Sequence, residues 1–348
     1  MALTIIALGI TILITAIFCS YAKTNTPSNL VINWLLSISL ITLLSLRGTS
    51  FDFDSMTYEN IFNSILQDDF IFDPSSYITS IEPGFLAISY IVIALGFGFS
   101  TVQLFFAAAS ILIYKKILSE TSVKLFPIAL FIYYCTGFLV REFTQIRFGL
   151  SVAIGSLSMI LYFKEQKTKS FIALIISSLF HASALLVPCF IISMRLSNTI
   201  KYSKIKYTYA FILLLSVLIS ASLNYCTDFF SFFSIGRFDR YTGTDELGDS
   251  LPWLIQCVIF LASTLIIKPS SIKHHLLLPI AVTTLALCIV FYNFQILQRF
   301  SIYGFIFISI TATQLVSELG WKRNFVVFFM FPLFSTSLIF KISSLIAN

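Results

Sequence analysis

Runs of residues with no charge at all set the tightest limit on what this chain can fold into: Leu3 to Ile17, Val31 to Leu46, Leu276 to Val290 and Phe300 to Ser317. Each approaches the roughly 20 apolar residues that cross a bilayer as a helix. The 348 residues are 57% hydrophobic and 11% charged, with a mean hydropathy of +0.93. A soluble domain of this length could not hide so much apolar surface from water. The expected fold class is all-α, a polytopic membrane helix bundle, because a helix satisfies its own backbone inside hydrocarbon. The 38 Phe and 15 Tyr suit lipid-facing packing and interfacial belts.

Apolar segments fall at about 3–21, 30–46, 83–98, 101–117, 125–140, 146–163, 170–194, 207–223, 252–267, 275–292, 300–316 and 324–340. No long soluble stretch interrupts them, so residues 1–348 are expected to form a single integral membrane domain. The two sizeable hydrophilic gaps, 47–82 and 224–251, are both acidic. No basic region precedes the first segment, and a cleaved signal is not expected. The six cysteines (19, 135, 189, 226, 257 and 288) are widely spaced, without a CxxC or a Cys/His cluster, so neither zinc nor a disulfide framework is implied. The net charge of +6 lies in short loops and reads as topology, with no nucleic acid partner implied.

The lysines and arginines separate. If every apolar segment crossed once, the lysine-rich gaps at 115–124, 164–169 and 201–206 would not share a side. Two readings repair this. Segment 83–98 opens with Glu82-Pro83-Gly84, ends in Gly96-Phe97-Gly98 and is short enough to be a re-entrant or juxtamembrane helix. Segment 170–194 carries His181 near its middle and reads as a hairpin of two short helices entering from the cytoplasm. Thirteen of the 14 lysines then become cytoplasmic, all but Lys341, as the positive-inside rule prefers. Both termini lie outside, with about 10 full crossings, or about 12 if the arms of the hairpin are counted. Residues 47–100 become an outer loop with a juxtamembrane helix, and 224–251 a second outer loop.

That topology leaves arginines 47, 141, 147, 237, 240 and 299 on the outer face with most of the acidic residues, among them Asp52, Asp54, Glu82 and Glu142. A guanidinium binds phosphate oxygens bidentately and stays charged, and a nearby carboxylate can serve as a base or hold sugar hydroxyls. The combination points to a polar, phosphate-bearing, lipid-linked substrate. Simpler readings stand beside it. Arg47 could cap a helix C-terminus, and Arg147 could simply pair with Glu142. A charge among Ile146, Phe148 and Leu150 otherwise costs ~2.5–3.5 kcal/mol at mid-membrane, and less near a helix end. Asp54 and Tyr58 share a face if 54–62 is helical. Glu82 stands where the chain re-enters the membrane. His181, inside an apolar run, is either a hydrogen-bonded packing residue or a proton carrier. His274 and His275 read as surface residues beside Lys273. Walker A, HExxH and GxSxG are absent, so ATPase, zincin and serine hydrolase chemistry have no support. No strong inverted repeat supports a transporter.

The sequence resembles the EpsG-like, Wzy-type O-antigen and exopolysaccharide polymerases. The resemblance is carried by Arg47 with the Asp52/Asp54…Tyr58 loop, Glu82-Pro83-Gly84-Phe85, Gln145-Ile146-Arg147-Phe148-Gly149-Leu150, Leu179-Phe180-His181-Ala182-Ser183-Ala184, and Arg299 with Tyr303. It departs where Ser50-Phe51-Asp52 replaces a Gly-x-Asp and where Phe148 stands in place of a Gln after the central arginine. The resemblance implies a bacterial inner-membrane enzyme that polymerises undecaprenyl-diphosphate-linked oligosaccharide repeat units on the outer, periplasmic side. It also implies a glycosyltransferase C-like bundle with re-entrant or juxtamembrane helices in the first outer loop. A membrane lipid environment and a chain-length regulator protein are the further partners implied.

On this reading Arg47, Arg141, Arg147 and Arg299 hold the diphosphate. Asp54, Glu82, Glu142 or His181 takes the acceptor's proton, and Tyr58, Gln145 and Tyr303 contact substrate. The donor is already activated, so no cofactor is expected, and a metal requirement stays open. The alternatives are an O-antigen ligase or other lipid-linked glycosyltransferase, and a polysaccharide flippase or transporter.

Overall fold

The computed structural model describes residues 10–12, 14–15, 27–46, 53–67, 82–121, 126–134, 138, 145–200, 202–225, 250–292 and 299–318. Its helices are α1 (Pro27–Ser45), α2 (Phe53–Leu66), α3 (Pro83–Ala94), α4 (Phe99–Glu120), α5 (Phe126–Tyr133), α6 (Ile146–Phe163), α7 (Lys167–Phe180), α8 (Val187–Thr199), α9 (Tyr202–Tyr225), α10 (Ser250–Ile266), α11 (Leu278–Val290) and α12 (Ile306–Glu318). Short 3-10 turns at Ala182–Leu186 and Arg299–Gly304 precede α8 and α12, and a widened π turn at Lys273–Leu277 leads into α11. Among the described residues there is no strand.

Six stretches are long and apolar enough to cross a membrane: Phe99–Glu120, Ile146–Phe163, Ala182–Thr199, Lys204–Leu223, Lys273–Val290 and Arg299–Glu318. Three shorter apolar helices accompany them, at Val31–Ser45, Pro83–Ala94 and Trp253–Ile266. The chain is therefore an all-α polytopic membrane bundle. Of the further segments expected from the sequence, 324–340 lies outside the described residues, and 3–21 is described only at 10–12 and 14–15. Helix α3, with 12 residues, spans about 18 Å, well short of the ~30 Å hydrocarbon core. It stops where Gly96 takes φ +75°. There Gly96 N–H donates to Ile93 O (2.9 Å) and Phe97 N–H to Val92 O (3.0 Å), a left-handed cap that glycine adopts without strain.

The chain divides into two compact units, Met1–Leu185 with Ala312–Asn348, and Leu186–Thr311. The first is organised by the α6–α7 hairpin, with α4 packed on α6, α3 resting on both α4 and α7, and α2 on α3. Lipid tails give helices no hydrophobic reason to associate, so small residues and buried hydrogen bonds have to join them. In the hairpin, Ser151 Oγ donates to Ser177 O (2.9 Å) and Ser177 Oγ returns a bond to Ser151 O (2.7 Å). Ser158 and Ser170 do the same at 2.8 and 2.9 Å. All four serines are buried. The two clasps are seven residues apart on each helix and so fix one antiparallel register. Continuing that register four residues past the Ser151–Ser177 clasp sets Arg147 opposite His181. At the other end the chain turns through Glu165 at φ 61°, a left-handed conformation that costs a non-glycine residue about 1–2 kcal/mol.

In the second unit α11 is the centre, packed by α8, α9, α10 and the Arg299–Gly304 turn. Pro279, at the start of α11, has no N–H to give the preceding turn, which accounts for the π turn before it. Lys273 is buried there, its Nζ bonded to Leu265 O at 2.9 Å and to Ile267 O, so it caps the end of α10. His274 and His275 are half-buried, where the sequence reading expected surface residues, because the π turn draws this stretch into the unit. On α9, Phe211, Leu214, Val217 and Leu218 are exposed in the way a lipid-facing helix requires.

Candidate functional site

Three helix ends in the first unit bring together the charged residues that the sequence singles out. Glu82 is the N-cap of α3, with extended backbone (φ −65°, ψ 138°), Pro83 following it in the first turn and no side-chain bond to its own helix. Arg147 is the second residue of α6, and His181 is the C-cap of α7. Gly84 permits their approach. A Cβ there would stand 2.8 Å from both Leu179 O and Phe180 Cδ1, so only glycine lets the start of α3 lie on the end of α7. The Glu82-Pro83-Gly84 sequence thus has a joint reading: proline starts the helix, glycine docks it, and glutamate is left facing His181.

The carboxylate of Glu82 is gripped from two sides. Arg147 Nη1 makes a short charged hydrogen bond to Oε2, and His181 Nε2 lies 4.0 Å from Oε1. Both members of the ion pair are largely shielded, with side chains 18% (Arg147) and 15% (Glu82) exposed. The guanidinium carbon of Arg147 sits 4.7 Å from the centre of the Tyr58 ring and 5.8 Å from that of Phe85, a cation over two aromatic faces. Its Nε–H is buried and has no hydrogen-bond partner among the described residues. A guanidinium has five N–H donors in a fork suited to phosphate or carboxylate, and here the described residues engage only some of them.

Aromatic packing fixes this platform. Tyr58 of α2 meets Phe85 of α3 at 5.5 Å between centroids, Phe85 meets Phe106 of α4 at 5.9 Å, and Phe106 meets Phe180 of α7 edge-on at 5.6 Å. Each such pair contributes about 0.5–1.5 kcal/mol beyond its buried area. Together they tie four helices into the wall behind Glu82 and Arg147. Phe148, directly after Arg147, packs on the His181 ring at 4.9 Å. On the far side of that ring, Ser183 N–H donates to Nδ1 at 3.2 Å and Ser183 Oγ lies 2.6 Å from the same nitrogen.

Helix α2 does run through 54–62, and it places Asp54 one turn before Tyr58, on the same face. Burial pushes the Tyr58 phenol above its ordinary value; the neighbouring Arg147 charge opposes this, and the Asp54 and Glu82 charges reinforce it. Tyr58 is therefore a neutral phenol at physiological pH, a platform for Arg147 and not an anionic base.

Of the remaining residues expected at the site, Gln145 is the half-buried N-cap of α6, its carbonyl accepting from Gly149 N–H at 2.8 Å. In the second unit, half-buried Arg299 opens the turn before α12 and Tyr303 is completely buried within that turn. Arg47, Arg141 and Glu142 lie outside the described residues. The first unit thus brings together Asp54, Tyr58, Glu82, Arg147 and His181. Sequence reasoning gave no role to Phe85, Phe148 or Ser183, although all three stand inside the motifs it quoted.

No curated protein and no solved structure matches this chain. The family model of the EpsG family matches residues 30–347, a span that takes in every helix from α2 onward and the whole Glu82–Arg147–His181 cluster. The chain belongs to the EpsG family, polytopic membrane proteins linked to polysaccharide biosynthesis.

Proposed function

We propose that this protein is a polysaccharide polymerase that transfers a glycan from undecaprenyl diphosphate to a hydroxyl of a second lipid-linked repeat unit, at the outer face of the bacterial inner membrane. The observation that carries the proposal is Arg147: shielded from water, laid over Tyr58, paired with Glu82, and with a buried Nε–H that has no partner among the described residues. A guanidinium so held is preorganised for an anion, and charge developing on a diphosphate leaving group is what such a group stabilises best. Arg47, Arg141 and Arg299 are the other arginines we assign to diphosphate binding, on the sequence pattern alone. Tyr58, Gln145 and Tyr303 contact substrate, and a carboxylate (Glu82, Asp54 or Glu142) or His181 accepts the proton.

In the reaction the acceptor oxygen bonds the anomeric carbon as the bond from that carbon to the diphosphate oxygen breaks. The electron pair leaves on the diphosphate, and the hydroxyl proton passes to the base. Membership of a polysaccharide-linked membrane family supports the substrate class. The short α3 beginning at Glu82 supports a juxtamembrane or re-entrant helix of a glycosyltransferase C-like bundle. A chain-length regulator is the protein partner this role would need.

The test is the fate of the repeat unit. Cells whose copy carries Arg147→Ala are expected to accumulate single-repeat lipid-linked glycan and to place one repeat on the final acceptor. An unchanged polymer length distribution at wild-type protein level would remove the assignment. Loss of every repeat from the final acceptor would favour a ligase instead.

A further inference from the structure

We propose that Ser183 is a positioning residue: it holds His181 in the Nε2–H tautomer, so that His181 presents an N–H towards Glu82 and Glu82 is the group left to act as base. The geometry stands by itself, whereas the catalytic consequence rests on the glycosyl-transfer reading above.

A backbone N–H can only donate. Ser183 N–H bonds His181 Nδ1 at 3.2 Å, so Nδ1 must present its lone pair, and the Ser183 hydroxyl at 2.6 Å donates to the same atom. A neutral imidazole has one N–H, which therefore sits on Nε2, the nitrogen that faces Glu82 Oε1 at 4.0 Å. An imidazolium would set Nδ1–H against the Ser183 N–H, donor against donor.

The local fold makes this hold rigid. His181 leaves α7 with extended backbone (φ −162°, ψ 128°), its N–H still bonded to Ser177 O at 3.2 Å. The following turn closes through Ala184 N–H to His181 O at 3.1 Å, which brings residue 183 back to the ring. Phe148 covers the ring at 4.9 Å.

The groups around His181 then have distinct tasks. Its one basic nitrogen is engaged by Ser183, so it is not the base. Glu82, held at Oε2 by Arg147 and facing His181 at Oε1, takes the acceptor hydroxyl's proton while the electron pair of the broken glycosyl bond leaves on the diphosphate. His181 keeps its proton throughout. Asp54 and Tyr58 bear on the same cluster through their effect on Arg147.

The chain contains three histidines, so full-length protein labelled with 15N-histidine in lipid nanodiscs gives few signals, and His181→Gln identifies the one in question. The wild type is expected to show Nε2 protonated and Nδ1 bare. Ser183→Ala should admit a measurable share of the other tautomer or of imidazolium, and Ser183→Thr, which keeps the hydroxyl, should match wild type. An Nδ1–H ring or an imidazolium predominating in the wild type at neutral pH overturns the proposal, as does a Ser183→Ala spectrum identical to wild type.

In cells, Ser183→Ala is expected to slow chain extension about fivefold, the loss of one hydrogen bond. His181→Gln, whose amide can supply an N–H near the Nε2 position, should keep more activity than His181→Ala. Equal loss in these two overturns the donor role. If the tautomer is as proposed but Arg147→Ala leaves polymer normal, the positioning stands and the glycosyl-transfer reading is what fails.

Discussion

Helix α6 carries an ion pair at each end, and the two pairs follow different rules. At its C-terminal end Lys164 meets Glu120 of α4, with the side chains 35% and 33% exposed. A cation there is favoured by the helix dipole, and an exposed pair of this kind is worth only ~0.2–1 kcal/mol. About 26 Å away, at the N-terminal end, Arg147 opposes the dipole and is paired in a drier setting, over an aromatic platform. Taking both charges out of water costs several kcal/mol per ion before their attraction is counted. Helix electrostatics and solvent explain Lys164. They count against Arg147, which is held there by Glu82 and the aromatic platform; the anionic substrate proposed above would give that arrangement its use.

The comparison can be broken by loosening one end and not the other. The largest effect is expected from Gly84→Ala, which drives a Cβ into Leu179 O and Phe180. Overpacking of this kind costs about 1–3 kcal/mol. It should lower the thermal midpoint in detergent and abolish polymer by lifting Glu82 away from His181, whereas an unchanged midpoint would mean that α3 is not docked on α7. A smaller effect is expected from the serine clasps. Ser177→Ala and Ser170→Ala should each destabilise by about 1 kcal/mol. Only Ser177→Ala, one turn before His181, should also shorten the polymer. Equal shortening in both would show that hairpin stability, and not the geometry at one end, sets activity.

Much of the architecture was legible in the sequence because apolar runs delimit membrane helices directly. The segment read at 146–163 is α6 itself, and the break anticipated near His181 falls where α7 ends. Asp54 and Tyr58 share a face because four residues make about one helical turn. The pairing of Arg147 with Glu82 was not legible. Glu142, the acid near in sequence, lies outside the described residues; Glu82 comes from 65 residues away, and local periodicity does not encode such a meeting. The serine clasps were hidden for a related reason: a serine in an apolar helix looks like filler until its partner helix and register are known. That Tyr58 also lies beneath Arg147 as its platform was not legible either, because the two residues come from different helices. The inward turn of His274 and His275 depends on the π turn at Lys273–Leu277, ahead of Pro279, that hydropathy does not reveal.

The most direct test neutralises one carboxylate at each end of α6 without changing its shape. Glu82→Gln and Glu120→Gln are compared in one strain lacking the native copy, with protein level matched and polymer resolved by length. Glu120→Gln is expected to give a wild-type ladder, and Glu82→Gln to stop at a single repeat, a loss of at least ~100-fold for a general base. Full-length polymer from Glu82→Gln, or equal loss from both variants, would contradict the account.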